Sequence, residues 1–127
     1  MPTATAQAKS ILVVESNEVE REGVAALLRR QGHRVALAGD GEEALAYLRQ
    51  QAAKPDLILL SMFLPRCDGW QFLHDHAAVW QPAPVVLVVA GLDGTTAEWA
   101  QSFGAKDVIH KPIVTADLLK KVEQHAG

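Results

Sequence analysis

The sequence predicts an α/β protein: a parallel β-sheet with helices on both faces. Two observations carry this. Short branched-apolar runs alternate with stretches of helical period in five strand–helix units. Such alternation gives parallel strands joined by right-handed crossovers. Two of the runs, Leu57-Ile58-Leu59-Leu60 and Val85-Val86-Leu87-Val88-Val89, are apolar at every position. That is the pattern of strands buried on both faces.

The elements follow in order. Residues 1–8 are small and polar and predict a flexible N-terminal tail, leaving 9–127 as one domain. Ile11 to Val14 is strand 1. Asn17 with Glu20 has capping-box spacing and opens a helix carrying Val24, Leu27 and Leu28 on one face, with Gly32 as its stop. Val35 to Leu37 is strand 2. Asp40 caps a second helix with an Ala44, Leu45, Leu48 stripe through about Gln51. Leu57 to Leu60 is strand 3. Gly69 to about Trp80 reads as one helix with Phe72, Leu73 and Ala77 inward, broken by Pro82 and Pro84. Val85 to Val89 is strand 4. Thr95 to Glu98 has capping-box spacing for a short helix ending near Gly104. Asp107 to His110 is strand 5, and Thr115 is the expected cap of a last helix with Leu118, Leu119 and Val122.

Composition excludes several classes. With 127 residues, 49% of them hydrophobic, the chain can bury its own core without staples. Net charge is −3 and no basic run appears, so no nucleic-acid surface is expected. The single cysteine, Cys67, excludes an internal disulfide and a Cys-rich zinc site. No stretch approaches the roughly 18 apolar residues of a membrane span, and no signal-peptide core is present. A cytoplasmic protein without membrane association is the expectation.

Open parallel sheets place their chemistry beyond the carboxyl ends of the strands. Ser61 stands at that edge, after Leu57-Ile58-Leu59-Leu60 and before the Pro65-Arg66-Cys67-Asp68-Gly69 turn.

At this point the chain resembles a receiver domain of two-component response regulators, from about Lys9 to Gln124. The resemblance rests on separated stretches in order: Ile11-Leu12-Val13-Val14-Glu15, Gly39-Asp40-Gly41-Glu42-Glu43-Ala44-Leu45, Pro55-Asp56-Leu57-Ile58-Leu59-Leu60, Leu64-Pro65 with Asp68-Gly69, Gly104-Ala105 with Asp107, and Lys111-Pro112. It implies a flavodoxin-like (CheY-like) five-stranded parallel sheet, strand order 2-1-3-4-5, and a cis Lys111–Pro112 bond. In that family strand 3 ends in an aspartate that accepts a phosphoryl group. Two acids after strand 1 hold Mg²⁺, a Ser or Thr ends strand 4, and a Lys ends strand 5. A carboxylate nucleophile, a metal and cationic or hydroxyl donors are what phosphoryl transfer requires.

The sequence departs from this pattern at most of those places. Ser61 occupies the acceptor position, and a serine hydroxyl without a base cannot form the acyl phosphate. The acidic pair is reduced to Glu15 and Ser16. Val89 replaces the strand 4 hydroxyl, and Val108 replaces the aromatic switch residue of strand 5. Lys111 alone is kept. The expectation is a degenerate pseudo-receiver, not an enzyme, with no cofactor and weak or absent Mg²⁺ binding. It acts in two-component phosphorelay signalling as a phosphorylation-independent protein–protein interaction module. Its vestigial pocket is Glu15, Ser16, Ser61, Val89 and Lys111. Its partner, a signalling protein or a second copy, is expected on the face of the fourth helix, fifth strand and last helix: Leu92, Ala97, Gln101, Val108, His110 and Lys121.

Other readings stand beside these. Ser61 could be a kinase substrate or a strand-end residue bonded to Lys111. Glu15 and Lys111 could pair across the pocket, or, with Asp68, hold a small ion. Cys67 could be a redox sensor or an ordinary loop thiol. His74 and His76 fall on different helix faces, which disfavours a metal site. Trp70, Trp80 and Trp99 could be binding anchors or cover for the core edge. Whole-protein alternatives are a receiver controlled by another input at the same pocket, a small flavodoxin-like enzyme or FMN binder, and a DNA-binding regulator. The glycine-free acidic loop Glu15-Ser16-Asn17-Glu18 argues against a phosphate cradle. No output domain is expected after the last helix, which ends near Gly127.

Overall fold

The computed structural model describes residues 8–90, 94 and 96–127. All but the last residue of the expected tail lies outside them. Five parallel strands form one sheet in the order β2-β1-β3-β4-β5: β1 Ser10–Val14, β2 Arg34–Ala38, β3 Leu57–Ser61, β4 Val85–Val89 and β5 Asp107–His110. The helices are α1 Glu18–Arg30, α2 Gly41–Gln50, α3 Gly69–Asp75, α4 Ala77–Trp80, α5 Ala97–Ser102 and α6 Thr115–Ala126. The strand order and the helices on both faces are those the resemblance implied.

Side-chain alternation along the strands divides the core into two layers. Leu12, Val14, Ile58, Leu60, Leu87, Val89 and Val108 meet α2, α3, α4 and α5 through Leu45, Leu48, Phe72, Trp80 and Ala100. Ile11, Val13, Leu57, Leu59, Val86, Val88 and Ile109 meet α1 and α6 through Val24, Leu28, Leu118 and Val122. Each such large aliphatic side chain contributes about 1.5–3 kcal/mol when taken from water.

Three helix expectations are corrected. The single helix from Gly69 to Trp80 is two, because His76 leaves helical geometry at φ −123°, ψ 26°. The break leaves carbonyls of α3 without helical partners, and the Trp80 indole N–H donates to one of them, Phe72 O, at 3.1 Å. Trp80 is thereby buried core and not a surface anchor. The cap of α5 is Thr96, which accepts from Trp99 N–H at 3.1 Å; Thr95 lies outside the described residues. Thr115 is the first residue of α6 instead of its cap. Val114 precedes it without a side-chain bond, and its carbonyl accepts from Leu118 N–H at 3.0 Å. The Lys111–Pro112 and Gln81–Pro82 bonds are cis.

The loop from β3 to α3 is held in place by backbone contact at two glycines. A Cβ on Gly41 would stand 1.8 Å from Cys67 O, and one on Gly69 would stand 2.7 Å from Ser61 O. The start of α2 and the start of α3 can therefore press against this loop only without side chains.

Candidate functional site

The site lies at the carboxyl ends of β1, β3, β4 and β5. β1 pairing continues one residue past the strand, with Glu15 N–H donating to Ala38 O at 3.0 Å. β5 continues likewise, with Lys111 N–H donating to Val89 O at 2.8 Å. Alternation therefore puts Glu15, Ser61 and Lys111 on the sheet face that carries α1 and α6.

Lys111 reaches back across the sheet. Its ammonium is 2.9 Å from Glu15 Oε1 and 2.8 Å from Glu20 Oε1, on the first turn of α1. Glu15 is buried, and its other oxygen accepts from Asn17 N–H at 2.9 Å. Arg21 donates to the Glu15 carbonyl at 2.9 Å. Asn17 caps α1 by accepting from Glu20 N–H, but the expected reciprocal bond is supplied by Glu15, which frees the Glu20 carboxylate for Lys111. Partial burial alone lowers the pKa of the Lys111 ammonium. The hydrogen bonds to Glu20 and Glu15 outweigh it, and Lys111 is held above its ordinary value.

The remaining pocket positions separate. Ser61 is buried at the end of β3, and its expected bond to Lys111 does not form. Ser16 is exposed in the loop after β1. Val89 and Val108 pack together with Ala100 and Ala105 in the layer on the opposite face. Mg²⁺ takes several oxygen ligands in near-octahedral order. Among the described residues the strand ends offer one carboxylate, Glu15, already bonded on both oxygens, and two serine hydroxyls. Asp68 is committed to capping α3 by accepting from Gln71 N–H at 2.9 Å. Among the described residues no group of three His, Cys, Asp or Glu side chains could hold a metal. This donor set does not fit Mg²⁺.

A second charged contact flanks the site, and sequence reasoning missed it. Arg66, in the β3–α3 loop, bonds Asp40, the cap of α2, and lies 3.4 Å from Glu42. Burial raises the Asp40 pKa, but the Glu43 N–H, the Arg66 guanidinium and the Glu42 N–H outweigh it and hold the carboxyl below its usual range. Arg66 and Cys67 both have positive φ, 42° and 65°. Burial and then the Asp68 charge push the Cys67 thiol up, which suits an unreactive loop cysteine.

Of the expected partner face, Ala97 is half-buried and Gln101 and His110 are exposed. Val108 is corrected to a core residue, 4% exposed. Lys121 folds onto the edge of β5, donating to Val108 O at 2.6 Å and lying 3.6 Å from Asp107. Leu92 lies outside the described residues.

A five-stranded parallel sheet in this order, with its polar residues gathered at the carboxyl ends of the strands, defines the class of flavodoxin-like α/β domains. Residues 11–123 match the family described as the response regulator receiver domain, and the chain belongs to that family. It is 36% identical over 104 residues to the transcriptional regulatory protein AfsQ1 of Streptomyces coelicolor, covering 82% of this chain and 45% of that one. It is 31% identical over 114 residues to the protein PilH of Pseudomonas aeruginosa, covering 88% and 93% respectively. The chain thus spans less than half of AfsQ1 but nearly all of PilH. Among solved structures, the receiver domain of the sensor histidine kinase PA1611 from Pseudomonas aeruginosa, which holds a magnesium ion in its active-site cleft, superposes with a TM-score of 0.81. Its identity is 30%, over 95% of this chain and 99% of that one. The Francisella response regulator 1452 receiver domain shares the fold at a TM-score of 0.82, with 22% identity over 93% and 96% of the two chains. The protein is a receiver domain of two-component response regulators. No helix among the described residues is long and apolar enough to cross a membrane.

Proposed function

We propose that this receiver has left the phosphorylation cycle and works as a phosphorylation-independent interaction module. The observation that carries it is the Lys111–Glu15–Glu20 cluster. In the sheet, β3 and β4 lie between β5 and β1. The Lys111 side chain spans their ends to reach Glu15, where the acceptor position holds Ser61. A cation that would meet a phosphoryl group is already held by two carboxylates of the chain. Val89 and Val108, packed as plain core, offer neither a hydroxyl nor an aromatic ring to swing. The partner face is the exposed part of α5, β5 and α6, with Gln101 and His110 on it, fixed in one state.

The test is incubation with acetyl phosphate and Mg²⁺ followed by intact mass. No gain of about 80 Da, one phosphoryl group, is expected. Beryllofluoride titration should leave the amide resonances of α5, β5 and α6 unmoved. A mass gain at any carboxylate or hydroxyl ends the proposal.

A second reading, a receiver controlled by another input at the same place, is favoured by one feature. An open groove of about 830 Å³ runs between α1 and the β5–α6 loop, lined by Gly23, Val24, Leu27, Pro112 and Ile113 together with Lys111 and Glu20. A small-molecule fragment screen read at the Gly23 and Ile113 amides would detect an occupant.

A further inference from the structure

We infer that the outer faces of α3 and α5 form a docking site for a basic, amphipathic segment of another protein, held by stacking of its arginines on Trp70 and Trp99. The site is built from Trp70, His74, Trp99 and Phe103 and uses none of the strand-end residues, nor Gln101 or His110, so it does not rest on the reading above.

Four aromatic rings meet there. Trp70 and His74 stand one turn apart on α3 with ring centroids 5.9 Å apart and planes at 14°. Trp99, on α5, stacks on Trp70 at 5.7 Å. Phe103 presents its edge to both, at 4.2 Å from Trp70 and 4.6 Å from Trp99. The core is already filled beneath them by Phe72, Leu73 and Ala100. Trp70 is nevertheless 36% exposed and Trp99 41% exposed. Two tryptophans that reach past a completed core leave indole surface in water, where it adds little to folding and much to binding.

Charge names the occupant. Between Arg66 and Lys106 the sequence carries Asp68, Asp75, Asp93 and Glu98 and not one Lys or Arg. Both helices of the site fall in that stretch. Asp75 lies 2.8 Å from His74, at the edge of the ring stack. Glu98 is exposed beside Trp99 in the first turn of α5. Indole faces flanked by carboxylates attract guanidinium groups by cation–π contact and by charge together. They repel phosphate backbones and anionic lipid surfaces. A helix or strand with arginines on one side and aliphatic residues on the other matches this surface. A second copy of the chain fits less well. Its exposed arginines are Arg29, Arg30, Arg34 and Arg49, at the ends of α1 and α2 and the start of β2, and Arg66, already held by Asp40; contact through the first four would be head-to-tail, which does not close into a dimer.

The probe is a synthetic amphipathic peptide with Arg on one face and Leu on the other, beside its Glu-for-Arg counterpart. The readout is the indole N–H resonances of the full chain, with buried Trp80 as internal reference. The Arg peptide should shift Trp70 and Trp99 saturably and leave Trp80 in place, and the Glu peptide should do nothing. W70A and W99A should each weaken binding by about fivefold or more. Glu98→Lys, which leaves the ring stack intact, should weaken it in the same direction and flatten its salt dependence. Unchanged affinity in W70A, W99A and Glu98→Lys overturns the inference, as does equal binding of the Glu peptide. Shifts of both indoles with protein concentration alone, tracked by sedimentation, would assign the surface to a second copy and overturn it as well.

Discussion

The Lys111 ammonium closes on the Glu15 carboxylate at 2.9 Å, joining the last strand of the sheet to β1 across the ends of β3 and β4. The pair is mostly sheltered, and Glu20 completes it from the more exposed side. Removing one partner of a buried pair leaves the other charge uncompensated, whereas an exposed pair is worth under about 1 kcal/mol. Glu15→Ala should therefore destabilise by about 2 kcal/mol, discounted because Lys111 is a quarter exposed. Glu20→Ala should cost less than about 1 kcal/mol. Urea unfolding of the two variants checks the order, and equal losses would show that the pair is not the main contact.

The same pair explains what restoring the acceptor alone will not do. Ser61→Asp adds one carboxylate near Glu15 but leaves Ser16 in place of a second acid after β1, so acetyl phosphate and Mg²⁺ should leave it unmodified. Adding Ser16→Asp supplies a further oxygen ligand at the loop after β1. The double variant should draw Glu15 toward Mg²⁺, release Lys111 and gain about 80 Da in the intact-mass assay. A gain already in Ser61→Asp would mean that the missing carboxylates of the metal site are not the limiting loss.

Arg66 and Asp40 tie the β3–α3 loop to the start of α2. Asp40 does two things, capping Glu43 N–H at 2.8 Å and receiving Arg66. Asn keeps the first and loses the charge. Asp40→Asn and Arg66→Ala should each lower the urea midpoint, and the double variant should fall no further than the lower single one. Additive losses in that cycle would show the two residues acting apart.

How much of this was legible is clearest from the residues themselves. β3 and β4 could be read because nearly every position in them is apolar, and their burial on both faces follows from that alone. Glu15 with Lys111 could be proposed because they are opposite charges at the ends of strands 1 and 5, with Ser61 between them and no acid there. Glu20 was hidden because its spacing from Asn17 already had an explanation as a helix cap, and only the turn of α1 brings its carboxylate to Lys111. Arg66–Asp40 joins residues 26 apart through a loop with two positive φ angles, which no local pattern signals. The helix break at His76 was invisible for a related reason. It is stabilised by a long-range indole bond from Trp80, and the intervening residues have ordinary helical character.

Stability should fall with acid in two stages. Burial, and then the Lys9 charge, hold His33 below its ordinary value, and Lys9 N–H donates to its Nδ1 at 3.1 Å, so folding favours the neutral ring. The unfolded chain then binds more protons as pH falls through about 6.5, and stability drops from there until the folded ring also titrates. Asp40 and Asp107 are held below the usual carboxylate range. Their contribution is present above about pH 4 and is lost as pH falls through their folded values. His33→Gln should abolish the first stage and leave the second. Urea midpoints measured across pH check this, and an unchanged slope near neutrality in that variant would remove His33 from the account.

Two glycines should respond in opposite directions to the same substitution. Gly23 sits inside α1, where an added Cβ would meet nothing within 4 Å and φ is not positive. Gly23→Ala removes backbone freedom from the unfolded chain and should stabilise by about 0.5–1 kcal/mol. Gly41 begins α2 directly against the backbone of Cys67, where the added carbon would stand 1.8 Å from the carbonyl oxygen. Backbone cannot swing aside as a flexible side chain does. Gly41→Ala must therefore push the β3–α3 loop off α2, at a cost of about 2 kcal/mol or more. Because that loop carries Arg66, the displacement should also release Asp40 and raise its pKa toward the ordinary carboxylate value, which a carboxyl-carbon NMR titration would read. A Gly41→Ala variant as stable as the parent, with an unmoved Asp40, would mean that the loop does not rest on α2 in solution.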